Sequence, residues 1–236
     1  DPCPMCSEEA THTDDRRFHD QTNTCPQCGP RLTLLSQLGE PIAGDPITEA
    51  LRLIQSGQII AIKGVGGFQL CCDARQADAV ARLRARKQMG ETKPMAVMAV
   101  NAASLEPWVQ GGVHEHRWLA APERPIVLLE QTAQARQDAA YLAPGLAWLG
   151  ASLPDSALHY LLFHEAAGRP VGTAWLNRAQ PLLLAMTSGN LSGAPVLTDN
   201  TQALRALTDV AAAFLLHDRD IVTRNEDTVM RVRADG

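Results

Sequence analysis

The sequence has few lysines and few aromatic residues, and it has no long apolar run. Its only lysines are Lys63, Lys87 and Lys93, and aromatic residues make up 4% of the chain. The net charge of −5 gives no strong basic field of the kind that favours nucleic acid. No segment approaches the roughly eighteen apolar residues of a membrane span. We therefore expect neither a nucleic acid nor a membrane as a partner.

A secretory signal peptide is also missing from the start of this sequence. The chain begins Asp1-Pro2-Cys3 without methionine, which we interpret as a cut from a longer protein or a processed end. Its 236 residues allow one large domain or two small ones. We expect the protein in the cytoplasm, where thiols stay reduced.

Two Cys-x-x-Cys pairs, Cys3/Cys6 and Cys25/Cys28, dominate the first 35 residues. Two residues between cysteines let both thiolates face one ion, so two such pairs complete a tetrahedral Zn²⁺ site. Gly29 follows the second pair, where a positive φ is often needed. The alternative is a pair of disulfides in a secreted protein, which the missing signal peptide disfavours. We predict a structural, closed zinc site whose metal supplies the folding energy of this segment.

A lysine and three glycines follow the predicted strand 58–62. The run Lys63-Gly64-Val65-Gly66-Gly67 is neither a Walker A loop nor a dinucleotide fingerprint. Glycines at a strand end nevertheless allow a close approach to an anion, and Lys63 could neutralise it. The alternative is a tight hairpin with a surface lysine, and the motif alone does not separate the two.

A second glycine-containing turn follows the apolar run 181–186, which is typical of a buried strand. The turn presents Ser188, Asn190 and Ser192 at the carboxyl end of that strand. Ligands bind at this end in open α/β sheets, and backbone amides there can hold anionic oxygens. The alternative is an ordinary loop rich in turn-forming residues.

The remaining basic residues give weaker signals. Segment 77–87 is predicted to be an amphipathic helix with its arginines and Lys87 mostly outward, and Lys93 precedes the predicted strand 95–100. Lys63, Lys87 and Lys93 could thus converge on one pocket. Arg219 and Arg224 could bind phosphates, or they could pair with acidic neighbours on the surface.

Elsewhere the pattern gives a coarse alternation of helices and strands. We predict a connector over 32–44, a helix from Asp45 to Gly57, partial helix over 102–121, a strand over 126–130, a loop over 141–153, a helix from Asp155 to about 167, a strand over 171–176, a helix over 201–207 and a strand over 214–216.

Together these motifs resemble the HypF family, whose members take part in building the cyanide ligands of nickel–iron hydrogenases. The cysteine segment, with Asp15 to His19 and Cys25 to Arg31, is similar to the second HypF zinc finger. The rest resembles the YrdC-like domain of HypF, over nearly the whole remaining chain. The matching segments are 63–68, 83–87, 93–98, 186–193, 215–221 and 227–229.

Two positions depart from the pattern of that family. Met89 stands where the YrdC signature Lys-x-Arg has arginine, and Gln69 follows the glycine loop where we expect histidine. Lys87, Lys93, Ser188 and Asn190 all match it.

The resemblance implies an α/β fold. We expect a zinc finger over 1–35, followed over 36–236 by a YrdC-like domain with a twisted, partly parallel sheet and flanking helices. In HypF, carbamoyl phosphate yields carbamate, and the YrdC-like domain joins carbamate to ATP with Mg²⁺, forming carbamoyl-adenylate and pyrophosphate. A Kae1-like domain, which this sequence lacks, then passes the carbamoyl group to the partner HypE.

The resemblance and the chemistry of phosphoryl transfer together predict the site residues. Lys63, Lys87 and Lys93 are expected to contact carbamate and phosphate oxygens, and Ser188 and Asn190 to hydrogen-bond the acyl-adenylate. The expected nucleotide contacts are completed by Gly66, Gly67, Arg219, Arg224 and Thr228. Two alternatives remain: a threonylcarbamoyl-AMP synthase of tRNA modification, and a zinc-dependent binding module.

Overall fold

The computed structural model describes residues 2–20, 23–90 and 93–233. It divides into two compact units. The smaller unit comprises residues 1–32 together with His217–Arg219, and the larger unit comprises Thr33–Leu216 and Asp220–Gly236. Among the described residues, no helix is long and apolar enough to cross a membrane.

The smaller unit is built around its cysteines. Helix α1 (Pro4–Thr11) begins directly after Cys3, with proline in its first turn, where a missing N–H costs nothing. Glu9 accepts hydrogen bonds from Arg17 at 2.6 Å and from the Asn23 side chain at 2.9 Å. Cys6 is the only core residue of α1, so polar contacts and the cysteines hold this unit together.

One mixed sheet organises the larger unit. Within the described ranges its strands are β1 (Leu32–Ser36), β2 (Ile60–Lys63), β3 (Phe68–Asp73), β4 (Ala96–Met98), β5 (Val109–Gln110), β6 (Ile126–Gln131), β7 (Trp148–Ser152), β8 (Leu184–Ser188), β9 (Ala213–His217) and β10 (Val229–Met230).

The strand order is β1-β9-β2-β3-β8-β4-β7-β6-β10, with β5 paired to β6. The pairs β2–β9, β4–β7 and β6–β10 are parallel, whereas β2–β3, β3–β8, β4–β8 and β6–β7 are antiparallel. The partly parallel sheet that we expected is therefore confirmed.

The helices of the larger unit are α2 (Pro46–Gln55), α3 (Ala77–Arg86), α4 (Val113–Leu119), α5 (Ala133–Asp138), α6 (Ala157–Ala166) and α7 (Asn200–Leu207). Asp45 caps α2 by accepting a hydrogen bond from Thr48 N, and Gly57 follows its end with φ +81°. Both features agree with the sequence prediction.

The central strands are buried on both faces. Cys71 and Cys72 on β3 are both fully buried, although neighbouring side chains on a strand point to opposite faces. Helices α2 and α3 pack against β3, and α2 also packs against α6. The two cysteines are thus core residues.

Three local predictions were wrong. Segment 148–152 is not a loop but strand β7, which is paired on both sides, and Gly150 allows the close approach of Ile126 there. Segment 171–176 lies outside the sheet and runs into a short 3₁₀ turn, and β1 occupies the start of the predicted connector. The prediction of partial helix over 102–121 is confirmed, because this segment contains a 3₁₀ turn, β5 and α4. Strand pairing overrode the local pattern at β1 and β7.

Candidate active site

The glycine loop connects β2 and β3. These strands form an antiparallel hairpin in which Lys63 pairs with Phe68, and Gly64 N donates to Gly67 O at 2.9 Å. Lys63 is 2% exposed, so the alternative of a surface lysine is wrong, although the hairpin itself is present. Lys63 is therefore buried at the end of β2, where the glycine loop begins.

Backbone hydrogen bonds join the glycine loop to the turn after β8. Gly189 N donates to Phe68 O, Phe68 N donates to Leu197 O, and Leu197 N donates to Gly189 O. A Cβ added at Gly189 would lie 2.5 Å from Phe68 Cβ, and one added at Gly67 would lie 2.8 Å from Val196. The two motifs are glycine-rich because their backbones pack directly against each other.

A third segment, residues 223–228, lies against the other side of the glycine loop. Asn225 N donates to Gly66 O at 3.0 Å, and a Cβ on Gly66 would lie 2.7 Å from Asn225 Cβ. Thr228 O accepts from Ile126 N at 2.8 Å, which fixes the end of this segment at β6. Three segments that are distant in sequence thus meet at one place.

Lys87 reaches the end of β8 from the C-cap of α3. Its Nζ lies 2.9 Å from Thr187 Oγ1 and 3.0 Å from Ser188 Oγ, and it also donates to Ser188 O. The side chain is buried, so the prediction of an outward Lys87 was wrong. Burial, together with the nearby charge of Lys93, lowers the pKa of Lys87 to about 8.

The arginines of α3 are not simply solvated. Arg82 donates to Gly57 O at 2.6 Å, Arg84 donates to Lys93 O at 2.7 Å, and Arg86 donates to Val210 O at 3.0 Å. Arg84 thereby fixes the backbone next to Lys93. These contacts tie α3 to the loops that surround it.

Two adjoining cavities open beside these motifs. The larger one has a volume of about 490 Å³ and is lined by the glycine loop, by Arg124 and Asp155, and by segment 223–228. The smaller one, of about 280 Å³, is lined by Lys93, by apolar residues of β4, β6 and β8, and by Val229. The residues that line both cavities are Gln69, Ser188, Glu226 and Asp227.

Sequence reasoning missed the acidic residues of this site. Asp155 Oδ1 lies 2.6 Å from His159 Nδ1, while Ser156 caps α6 in its place. Burial raises the pKa of Asp155, but the hydrogen bond and charge of His159 outweigh it and leave the pKa below its usual value.

Asp227 has a pKa above its usual value. The main cause is loss of hydration inside the cavity, and the negative charge of Asp155 adds to it. Asp155 precedes a helix without a motif of its own, and Asp227 begins the matching segment 227–229, from which only Thr228 was assigned to the site.

The other residues predicted from the sequence do not all line the cavities. Gly66, Gly67, Ser188 and Thr228 line the larger cavity, whose lining residues all belong to the larger unit. Asn190 Oδ1 accepts from Ser188 Oγ at 2.8 Å, so it supports Ser188.

The two arginines of the tail are not brought to the cavities. Arg219 belongs to the smaller unit, where its guanidinium donates to Cys28 O. Arg224 is exposed between the cavity-lining residues Thr223 and Asn225, and it lines neither cavity. Phosphate contacts by Arg219 and Arg224 therefore stay predictions, and neither residue lines a cavity.

The four predicted zinc ligands are assembled. Cys3, Cys6, Cys25 and Cys28 place their Sγ atoms within 4.8 Å of one another. Backbone N–H groups of the second pair lower the pKa of Cys25 and lower that of Cys28 to about 6, which favours thiolates at these two positions, whereas burial raises the pKa of Cys6. The donor set and its spacing fit Zn²⁺.

Gly29 contributes differently from the prediction. Its φ is not among the positive values of this chain, but a Cβ there would lie 2.8 Å from Cys25 O. The glycine is needed for a close backbone approach. His12 and His19 are exposed and lie outside the cysteine cluster.

Two family models match the chain. Residues 52–236 match the Sua5/YciO/YrdC model, described as telomere recombination, and residues 3–35 match the HypF finger. The chain belongs to the Sua5/YciO/YrdC family. Within that family it carries the finger that marks HypF proteins.

Curated relatives of this Sua5/YciO/YrdC-family chain are HypF carbamoyltransferases. HypF2 of Cupriavidus necator is 53% identical over 206 residues, which are 87% of this chain and 25% of that protein. HypF of Rhodobacter capsulatus is 41% identical over 235 residues, or 98% of this chain and 28% of that protein. The chain thus spans about a quarter of the length of these relatives.

Solved structures agree with this family membership. Full-length HypF in a phosphate- and nucleotide-bound form matches 98% of this chain and 28% of that chain, with a TM-score of 0.85 and 37% identity. Pyrococcus abyssi Sua5 complexed with L-threonine matches 81% of this chain and 52% of that one, with a TM-score of 0.60 and 17% identity. At that identity the Sua5 match shows the fold alone.

Proposed function

We propose that this chain joins carbamate to ATP, forming carbamoyl-adenylate and pyrophosphate, as one step of HypF-type carbamoyl transfer. The observation that carries the proposal is the pair of adjoining cavities that share Ser188, Gln69 and Asp227. A volume of about 490 Å³ suits a nucleotide, and the smaller cavity suits a second, small substrate. The shared wall is where two such substrates would meet.

In this proposal the larger cavity takes ATP. The amides of the glycine loop face phosphate oxygens, because Gly66 and Gly67 bring the backbone to the cavity surface. Ser188, held by Lys87 and Asn190, hydrogen-bonds the adenylate between the two cavities. Mg²⁺, which binds phosphate oxygens and keeps part of its water, would enter with ATP and neutralise charge on the departing pyrophosphate.

The smaller cavity takes carbamate in this proposal. Lys93 supplies the cation for its carboxylate, and buried Lys63 adds positive charge below the glycine loop. The reaction needs position and charge neutralisation but no covalent protein intermediate. Apolar residues such as Met95, Ile126 and Met186 limit water around a substrate that water destroys.

The wider setting is part of the same proposal. Residues 1–35 would form the structural zinc finger and residues 36–236 the adenylating domain. Carbamate would come from carbamoyl phosphate, and HypE would receive the carbamoyl group through a Kae1-like domain outside this sequence. None of the six cysteines forms a disulfide, and we place the protein in the reducing cytoplasm.

Mass spectrometry of two incubations tests the function. One contains the chain with ATP, Mg²⁺ and ammonium carbamate, and the other contains ATP, Mg²⁺, threonine and bicarbonate. We expect carbamoyl-adenylate in the first incubation. Ser188→Ala should lose this product. Asp209→Asn should retain it, because this variant changes an exposed carboxylate outside both cavities. Threonylcarbamoyl-adenylate in the second would reassign the chain to tRNA modification. Absence of both products would contradict adenylation by this chain.

A further inference from the structure

Gln69 and Asp227 belong to the wall that the two cavities share, together with Ser188 and Glu226. Gln69 on β3 pairs directly with Ser188 on β8, so both side chains lie on one face of the sheet. From there Gln69 Nε2 donates to Asp227 Oδ2 at 3.4 Å. Asp227 is thus hydrogen-bonded to the side chain that lies next to Ser188 in the sheet.

The Gln69–Asp227 contact has an energetic cost. Gln69 Oε1 is buried and has no hydrogen-bond partner among the described residues. An unpaired buried acceptor is destabilising, so a side chain selected only for packing would not keep it. The amide orientation that leaves Oε1 unpaired is the one that directs Nε2 to Asp227. This favours a functional reason for holding the carboxylate in place.

The lining of the smaller cavity includes polar groups of opposite character. Lys93 offers N–H donors and positive charge, whereas Asp227 and Glu226 offer carboxylate acceptors. The rest of the lining is largely apolar. A ligand that satisfies both kinds of group carries an anionic oxygen group and N–H donors. Carbamate has this pattern, whereas a simple carboxylate of the same shape has no N–H.

We infer that Asp227 determines specificity for the small co-substrate by accepting a hydrogen bond from its amino group, and that Gln69 is the positioning residue for Asp227. The inference rests on the proposed function, because it assigns the smaller cavity to carbamate. It adds a residue that distinguishes carbamate from other small anions. The carboxylate attracts an N–H group and repels a carboxylate oxygen. A methyl group in the same place would leave the carboxylate dehydrated and without a hydrogen bond.

Acetate is a matched probe, since it has the shape and charge of carbamate but a methyl group in place of the amino group. We would titrate the full chain, with a non-hydrolysable ATP analogue present, with fresh ammonium carbamate or with ammonium acetate in a calorimeter. Ammonium bicarbonate gives the background of carbamate breakdown. We expect carbamate to bind at least about tenfold more tightly than acetate, as a hydrogen bond to a charged group implies.

Two variants complete the experiment. In Asp227→Asn the Gln69 N–H pairs with the new side-chain carbonyl, and the new NH₂ group faces the ligand. The preference for carbamate over acetate should therefore fall to about threefold or less. Gln69→Met should reduce the preference by a smaller factor, while Asp209→Asn should keep it. Melting curves report whether each variant is folded.

The outcomes separate the two proposals. Equal binding of carbamate and acetate by the unmodified chain, or an unchanged preference in Asp227→Asn, overturns the role of Asp227. A preference for carbamate without any adenylate product in the mass spectrum leaves that role standing and removes the proposed function. The binding readout does not depend on turnover, so one failure cannot be mistaken for the other.

Discussion

Lys87 Nζ lies 3.0 Å from Ser188 Oγ, although the two residues are 101 positions apart in the chain. The same ammonium group reaches Thr187 Oγ1 at 2.9 Å and also donates to Ser188 O. A protonated lysine has three N–H donors, and all three face the end of β8. Lys87 therefore fixes the strand end that presents Ser188, and its direct contact with a substrate anion stays a prediction.

The first prediction concerns the pH dependence of adenylation. Because the pKa of Lys87 is lowered to about 8, deprotonation above that pH removes a donor and the charge from the end of β8. We expect kcat/KM to fall above about pH 8 in the unmodified chain. Lys87→Arg, whose guanidinium stays charged, should be slower but should lack this alkaline decline. The measurement is pyrophosphate release across the pH range, and an identical decline in Lys87→Arg would assign it to another group.

Stability should change in the opposite direction over the same pH range. The folded-state pKa of Lys87 is below the value of 10.5 for the unfolded chain, so between pH 8 and 10.5 the unfolded state binds more protons. The contribution of this group to the unfolding free energy then rises with pH. Denaturant titrations of the unmodified chain and Lys87→Met, compared across this range, isolate that contribution. A contribution that falls with pH would contradict the lowered pKa.

The second prediction concerns Gly189. An alanine there would place Cβ 2.5 Å from Phe68 Cβ and 2.6 Å from Phe68 O, so the backbones of the two motifs must separate. Overpacking of this kind costs about 1–3 kcal/mol, or about 2–12 °C in melting temperature for a domain of this size. Gly90→Ala is the matched control, since nothing lies within 4 Å of a Cβ at Gly90. Equal melting temperatures for both variants would mean that the two motifs do not pack as described.

The third prediction concerns the finger. We expect about one zinc per chain by elemental mass spectrometry, because four thiols within 4.8 Å form a closed tetrahedral donor set. Cys25→Ser should retain far less than one zinc, while His12→Asn should retain all of it. A strong chelator should unfold the smaller unit, which lacks an extensive apolar core. Zinc retained in Cys25→Ser would show that the metal has other ligands.

The zinc site illustrates what spacing can predict. The Cys-x-x-Cys pairs specify their geometry over a few residues each, so the four ligands could be identified before any fold was known. The strand predictions were correct for the same reason at β2, β6 and β8, where apolar runs are continuous. It failed at Trp148–Ser152, since a short strand with a central glycine has no local signal and forms only because β4 and β6 flank it.

The sequence by itself determined the zinc ligands, the glycine-rich turns and the family resemblance, because each depends on residue types at short, fixed spacings. Only the tertiary structure decided that Lys87 is buried against Ser188, that Arg219 belongs with the finger, and that Gln69 and Asp227 share a wall between two cavities. These relationships join residues 101, 191 and 158 positions apart. They follow from strand order and backbone packing, which no local pattern of residues encodes.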